Sequence, residues 1–351
     1  MVPDEWPIAP PAVRVASPAR RAGRRRLPIV QQDFFLDPAK RLTEQERALM
    51  TAMLADLIGT IADELGAVVT APMGAANDED GHHLLLLLSA AGQLDHPELI
   101  SLLLRRADEE RIAAAMRSRS GGHPAFLQAL VADSDASTAG AAMGLILARG
   151  ARRDRLGQPR LQFDDLSPNL AADLVYRIAA ALRPRLVPPL STDQADRQLA
   201  AAVDQLLARR SPDKSMTRLT RGLVTALHSA GKLGEPVIKA AAEEGDVSFV
   251  AEALAEMAGV LSDESWDRMV DGGDGRLMLL FRMAGVSRTL AAGILGILAD
   301  LIGIDHPGAE ITRFDAIGDA EAERVRLSLQ LNPAYHEALS ALGKSDGERT
   351  F

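Results

Sequence analysis

The chain has 351 residues, 47% of them apolar but only 3% aromatic, and no cysteine. That length allows a substantial core, which Leu, Ala and short branched side chains must fill, and the lack of cysteine excludes disulfides, thiolate metal ligands and a cysteine nucleophile. A net charge of -9 argues against nucleic acid covering the whole surface, and purely apolar runs such as Leu84 to Leu88 are far too short to span a bilayer.

The charge is unevenly placed. Residues 1–30 carry Arg14, Arg20, Arg21, Arg24, Arg25 and Arg26 against Asp4 and Glu5, a net +4 that leaves -13 for the rest. With Pro7, Pro10, Pro11 and Pro18 interspersed, residues 1–40 read as a disordered basic leader. No apolar segment follows the arginines, so no secretory signal is expected. Thr43 and Glu46 have capping-box spacing. Behind them Leu49, Met50, Met53, Leu54, Leu57, Ile58 and Ile61 recur at three and four, the mark of an amphipathic helix. Residues 70–81 are polar and glycine-bearing and read as a loop. Leu84 to Leu88 is apolar on every side and is expected to be buried.

Asp95 and Pro97 announce a helix carrying Leu99, Ile100, Leu102, Leu103 and Leu104, and Ala107 to Met116 reads as a further helical stretch. Gly121-Gly122-His123-Pro124 is a break. Phe126, Leu127, Leu130 and Val131, then Met143, Leu145, Ile146 and Leu147, supply two more stripes. Arg149, Arg152, Arg153, Arg155 and Arg160 then cluster around Gly157 and Pro159 as a basic connector. Ser167-Pro168 is a strong helix start, ended by Pro184, Pro188 and Pro189. Ser191 with Gln194 forms a second capping box, and Ser211-Pro212 breaks the helix that follows. Leu219, Leu223, Val224 and Leu227 line the next. From Leu233 onward, short apolar-faced runs alternate with Gly245-Asp246, Gly259, Asp271-Gly272-Gly273-Asp274-Gly275 and Gly285.

No sustained period-two alternation and no Gly-x-Gly-x-x-Gly after a strand are present, so a doubly wound sheet is rejected. The pattern predicts an all-α fold of roughly twelve to fourteen short, packed antiparallel helices, which must stack because short helices are unstable alone. The expected organisation is a leader 1–40, an N-terminal helical domain 41–148, a basic connector 149–165, a C-terminal helical domain 166–340 and a flexible tail 341–351.

The segments Glu235-Pro236, Glu244-Gly245-Asp246, Phe249, Ala253-Leu254-Ala255, Met257-Ala258-Gly259-Val260, Gly272-Gly273-Asp274-Gly275 and Phe281-Arg282-Met283-Ala284-Gly285 carry a resemblance. They resemble the C-terminal part of an alphaproteobacterial family of helical proteins catalogued as a domain of unknown function, best over 234–302. The resemblance extends more weakly back through Leu166–Leu182 to Thr43. It implies a HEAT-like array or irregular α-solenoid and a bacterial cytoplasmic protein near signalling or cell-envelope regulation. It supplies no catalytic residues. Read physically, Gly245 and Gly259 suit left-handed helix ends and Asp246 suits an N-cap. Val247, Val250, Leu254 and Met257 form a buried stripe, with Glu252 opposite.

Few residues suggest chemistry. His82-His83 follows Asp78, Glu79 and Asp80, but adjacent helical residues diverge and do not chelate, so no metal site is expected. The pair remains a candidate phosphoacceptor, although the histidine-acid-arginine pattern of kinases is missing. His96-Pro97, His123-Pro124 and His306-Pro307 mark helix boundaries. Asp271 to Gly275 fails as a calcium loop, because glycines fill positions three and five and Arg282 fills position twelve. Arg149, Arg152, Arg153, Arg155 and Arg160 are the candidate partner-binding set, facing an acidic partner; the same arginines could equally solvate a connector or neutralise the protein's own acidic surface. No aromatics lie between them to stack bases, so base stacking is poorly supported and there is no strong nucleic-acid signal. The expectation is a non-catalytic, cytoplasmic protein-protein interaction or signalling module, without cofactor, with a protein partner and open to homo-oligomerisation. The alternative is a two-component-type histidine phosphotransfer protein or another helical enzyme.

Overall fold

The computed structural model describes residues 42–69, 78–120, 125–187, 190–271 and 273–331, together with Tyr335, Ala338 and Leu342. The leader expected over 1–40, nearly all of the tail 341–351, and the His123-Pro124 and His336 positions lie outside them. The residues from Glu46 onward form one compact unit, and of the unit before it, Met1–Gln45, only residues 42–45 are described.

Among the described residues the regular structure is entirely helical, apart from one isolated bridge between Arg153 and Pro159. The helices are α1 (Glu44–Val68), α2 (Asp78–Ala90), α3 (Pro97–Ser120), α4 (Phe126–Val131), α5 (Ala136–Ala151), α6 (Pro168–Leu186), α7 (Thr192–Arg209) and α8 (Met216–Ser229). They continue as α9 (Glu235–Glu243), α10 (Val247–Ala258), α11 (Ser262–Val270), α12 (Arg276–Met283), α13 (Arg288–Leu298), α14 (Pro307–Ala316) and α15 (Asp319–Leu329). Single 3-10 turns at Phe163–Asp165, Pro212–Lys214 and Ala299–Leu301 punctuate the chain. The fold is the all-α array expected, held by contacts between consecutive helices such as α4 with α5 and α6 with α7 and, as extensively, by contacts between helices further apart in order, such as α5 with α8 and α9 with α13.

Short side chains set many of the boundaries. Ser167, Ser215 and Ser287 each accept a hydrogen bond from the backbone N–H three residues on. Ser191 and Gln194 close a reciprocal capping box. Asp246 accepts from Phe249 N at the start of α10. Gly259 ends α10 at φ 66°, a conformation glycine adopts without strain.

The core is centred on α10, which packs on α8, α9, α11, α12 and α3. Val247, Phe249, Val250, Ala251, Glu252, Ala253, Leu254, Ala255 and Ala258 are all buried, so the helix is enclosed over most of its surface, with Glu256 exposed and Met257, expected in the buried stripe, only partly buried. Phe249 meets Phe126 edge-on at 4.8 Å between ring centroids, an arrangement that adds about 0.5–1.5 kcal/mol to the burial of the two rings. One continuous hydrophobic cluster runs from Ile112 through Leu145 and Leu254 to Ala322. The expected halves 41–148 and 166–340 therefore share a core.

Three local expectations need correction. The stretches 99–104 and 107–116 belong to a single helix, α3, because no glycine or proline interrupts 98–120 and its mixed charges pair at helical spacing. Within Leu84–Leu88, Leu86 and Leu87 are exposed while Leu84, Leu85 and Leu88 are buried, so α2 is amphipathic after all. Glu252, placed on the solvent side of α10, is 4% exposed because Arg221 of α8 meets it there.

α1 and α2 cross at two glycines. A Cβ on Gly81 would stand 2.6 Å from the Ala55 carbonyl oxygen and 3.2 Å from Gly59 Cα, so the two backbones touch with no side chain between them.

Candidate functional site

Charge on helices usually points to water, and α3 breaks that habit. Arg105, Arg106, Glu109 and Glu110 face a cleft of about 770 Å³, bounded also by the end of α5, the starts of α8 and α10, and the hairpin at 153–159. Leu127, Ile146, Ala113, Val247 and Met216 give it apolar lining.

The charges on its wall are paired. Glu109 receives Arg106 at 2.6 Å and Arg105 at 3.5 Å, and the Ser248 hydroxyl also donates to it. Burial alone would raise the Glu109 carboxyl. The nearby Arg106 and Arg105 guanidiniums and the Ser248 bond outweigh that and hold it below the ordinary glutamate range. Burial likewise pulls Arg106 down, and Glu109 more than reverses the effect. Glu110 bridges two elements, accepting from Arg117 of α3 at 2.7 Å and from Arg153 of the hairpin at 2.6 Å. Arg149, in the last turn of α5, meets Asp246 at 2.7 Å, the same carboxylate that caps α10. Glu244 accepts the backbone N–H groups of Ala125 and Phe126 at 2.6 and 2.7 Å and so seats α4 against the end of α9.

Between Glu244 and Asp246, Gly245 adopts φ 73°, and a Cβ there would lie 2.9 Å from Met116 Cγ and 3.1 Å from Ala113 Cα. Only glycine lets the turn before α10 lie this close to α3.

The hairpin is self-supporting. Asp154 accepts from Leu156 N and Gln158 N at 2.8 Å each, its own N–H donates to the Gln158 carbonyl at 2.9 Å, and Gly157 turns at φ 80°. Its base is fixed from inside. Arg152 is 2% exposed and meets Asp165 through Nε at 2.8 Å and a terminal nitrogen at 2.7 Å, while also donating to the Ala148 and Lys214 carbonyls. Asp165 in turn accepts from Gln162 N and Met216 N. Arg160 forks onto Asp56 of α1 at 2.7 and 2.6 Å. At the tip, Arg155 is exposed beside Leu156, which is 85% exposed.

The five arginines singled out by sequence thus have different roles. Arg149 and Arg153 line the cleft at its surface. Arg152 is an interior clamp and is not available to a partner. Arg160 ties the hairpin to α1, and Arg155 projects from the tip. His82 and His83 sit exposed on α2, away from the residues lining the cleft. Sequence reading missed Arg105, Arg106, Glu109, Glu110 and Arg117. The available signal was a run of both signs on a helix whose Ala107, Ile112 and Met116 are buried, which puts part of that run on an inner face. Among the described residues, no group of three or more His, Asp or Glu side chains could hold a metal ion, and no helix is long and apolar enough to cross a membrane.

The profile of a family described as "Uncharacterised protein conserved in bacteria (DUF2336)" matches residues 85–326, well over half of the chain, and the chain belongs to that family. The match takes in α3, the hairpin and α10, hence the whole cleft wall. No curated protein and no solved structure matches the chain.

Proposed function

We propose that this member of the bacterial DUF2336 family is a non-catalytic interaction module that docks an acidic segment of a protein partner at the α3–α10 cleft. The observation that carries the reading is the depth at which the two signs of charge lie. Arg117 and Arg153 are 42% and 38% exposed, whereas the Glu110 they share is 19% exposed. Arg149 is 32% exposed against 8% for Asp246. In these pairs the acid is set back and the guanidinium stands forward, whereas Arg105 and Arg106 lie as deep as Glu109, so the accessible rim of the cleft at Arg117, Arg149 and Arg153 is positive. Guanidiniums suit carboxylates geometrically as well as electrostatically, and the apolar lining can take the aliphatic part of the same segment.

Arg149, Arg153 and Arg155 are the proposed contact set, with Arg160 holding the hairpin in place. A HEAT-like stacking of helix pairs, an alphaproteobacterial origin and a cytoplasmic post in signalling or envelope regulation belong to the same reading. The experiment is affinity capture from the native bacterium with the full chain and with Arg149→Glu/Arg153→Glu/Arg155→Glu. Loss of one specific partner from a folded triple variant supports the docking site. Equal recovery with both chains refutes it.

A second reading rests on one observation. His82 and His83 are both exposed on α2, which is the placement a phosphotransfer histidine needs. Incubation with acetyl phosphate tests it: an acid-labile phosphate lost in His82→Ala/His83→Ala supports it, and no incorporation rejects it.

A further inference from the structure

Glu110 holds a special position among the cleft carboxylates. It is the only one of the cleft-lining acids whose ion pairs join α3 to the hairpin. Arg117 lies seven residues further on, two helical turns along the same face, and its side chain reaches back along α3 to meet Glu110. Arg153 meets the same carboxylate from the hairpin, with contacts of 2.6 Å and 3.3 Å to its two oxygens. The two most exposed arginines lining the cleft are therefore both bound to one internal carboxylate.

We infer that Glu110 is a built-in competitor, an internal carboxylate that occupies the Arg117–Arg153 pair and that an incoming acidic side chain displaces. The inference rests on the docking reading above and adds to it. It makes Arg117, in addition to Arg153, a specificity residue, and it makes docking an exchange of one carboxylate for another. The exchange needs no opening of the core. Glu110 pairs at the surface, and the hairpin stays anchored through Arg152–Asp165 and Arg160–Asp56 when Glu110 lets go. An ion pair whose arginines are this accessible to water stabilises only weakly, so a partner offering two or more carboxylates can replace it. An unmasked pair should bind more tightly than the masked one.

This gives a test with an unusual sign, because deleting an acid inside the binding site should strengthen binding selectively. The probe is fluorescein-labelled hexaglutamate, followed by anisotropy with the full chain at about 0.1 M salt, where the Debye length is about 10 Å. Glu110→Gln should bind the probe about five- to tenfold more tightly than wild type, the combined strength of two partly exposed pairs. Arg117→Gln and Arg153→Gln should each weaken it. Glu98→Gln makes the same charge change on the same helix, about 18 Å away along the axis, and should leave affinity unchanged. If Glu110→Gln melts early, Glu110→Asp, which withdraws the carboxylate by one methylene, serves in its place and should also tighten binding. Wild-type binding with no gain in the Glu110 variant, or an equal gain in Glu98→Gln, overturns the masking while leaving acid docking in place. No binding by any variant at millimolar chain overturns both.

Discussion

Replacing Asp165 by alanine tests how far a charged stretch of sequence can be part of the interior. The side chains of Arg152 and Asp165 are 2% and 5% exposed. The substitution would leave a buried guanidinium without its fork partner and would strip the Gln162 and Met216 amides of their acceptor. Breaking one side of a buried pair costs about 3–5 kcal/mol, chiefly because the remaining charge is stranded, and each orphaned amide adds to the penalty, though not additively. We expect Asp165→Ala to lose about 4–5 kcal/mol in urea unfolding, read as a lower midpoint at constant slope. Arg153→Gln, one residue from Arg152 but 38% exposed, should lose less than about 1 kcal/mol. The double change Arg152→Met/Asp165→Leu removes the stranded charge and should recover a large part of the loss. If Asp165→Ala and Arg153→Gln cost the same, or the double variant is no better than the single, the clamp is not what holds the hairpin base.

Other outcomes follow from the same geometry. Leu254→Ala, in the closed centre of α10 with no exposed surface, should cost about 2–5 kcal/mol; Glu252→Ala should cost less, about 1 kcal/mol, because it empties a buried position while Arg221, 47% exposed and also bonded to Ser262, stays hydrated, and chemical denaturation of both decides. Gly245→Ala should lose about 1–3 kcal/mol or more from its positive φ and the Met116 contact, whereas Gly273→Ala, with open space around it, should stay within about 0.5 kcal/mol. Glu109 has a folded-state pKa below its unfolded one, so its contribution is present above the unfolded pKa and fades as pH falls through the folded value. Glu109→Gln should therefore flatten the acid side of the stability profile below about pH 4.3, and an unchanged acid limb would remove Glu109 from that role.

Much of the fold was legible because its determinants are local. Ser167, Ser191 with Gln194, Asp246, Gly245 and Gly259 do in the structure what their types and spacing say, since a cap involves residues only three or four apart. The absence of period-two patterning was enough to settle fold class. The site was far less legible, because its meaning lies in partners distant along the chain. Arg149 meets Asp246, Arg153 meets Glu110 and Arg160 meets Asp56, separations of 97, 43 and 104 residues. Without those partners a cluster of arginines reads as a solvated connector, and Arg152 as one more exposed charge. Glu252 failed for the same reason: the polar side of an otherwise apolar helix was taken to face water, and it faces Arg221. Leu86 and Leu87 failed in the other direction, since a run of five leucines conceals which of them the neighbouring helices reach.

The glycine crossing of α1 and α2 has a consequence for the two histidines beside it. Helix ends ordinarily fray, and side chains near them sample many orientations. His82 and His83 directly follow Gly81, whose Cα rests against Gly59 with room only for hydrogen. At that point the first turns of α2 are held backbone to backbone against a 25-residue helix. The two imidazoles are thereby mounted on a fixed platform at a set angle to α1. Any methyl group introduced at position 81 would wedge the helices apart and swing both rings, although it touches neither of them.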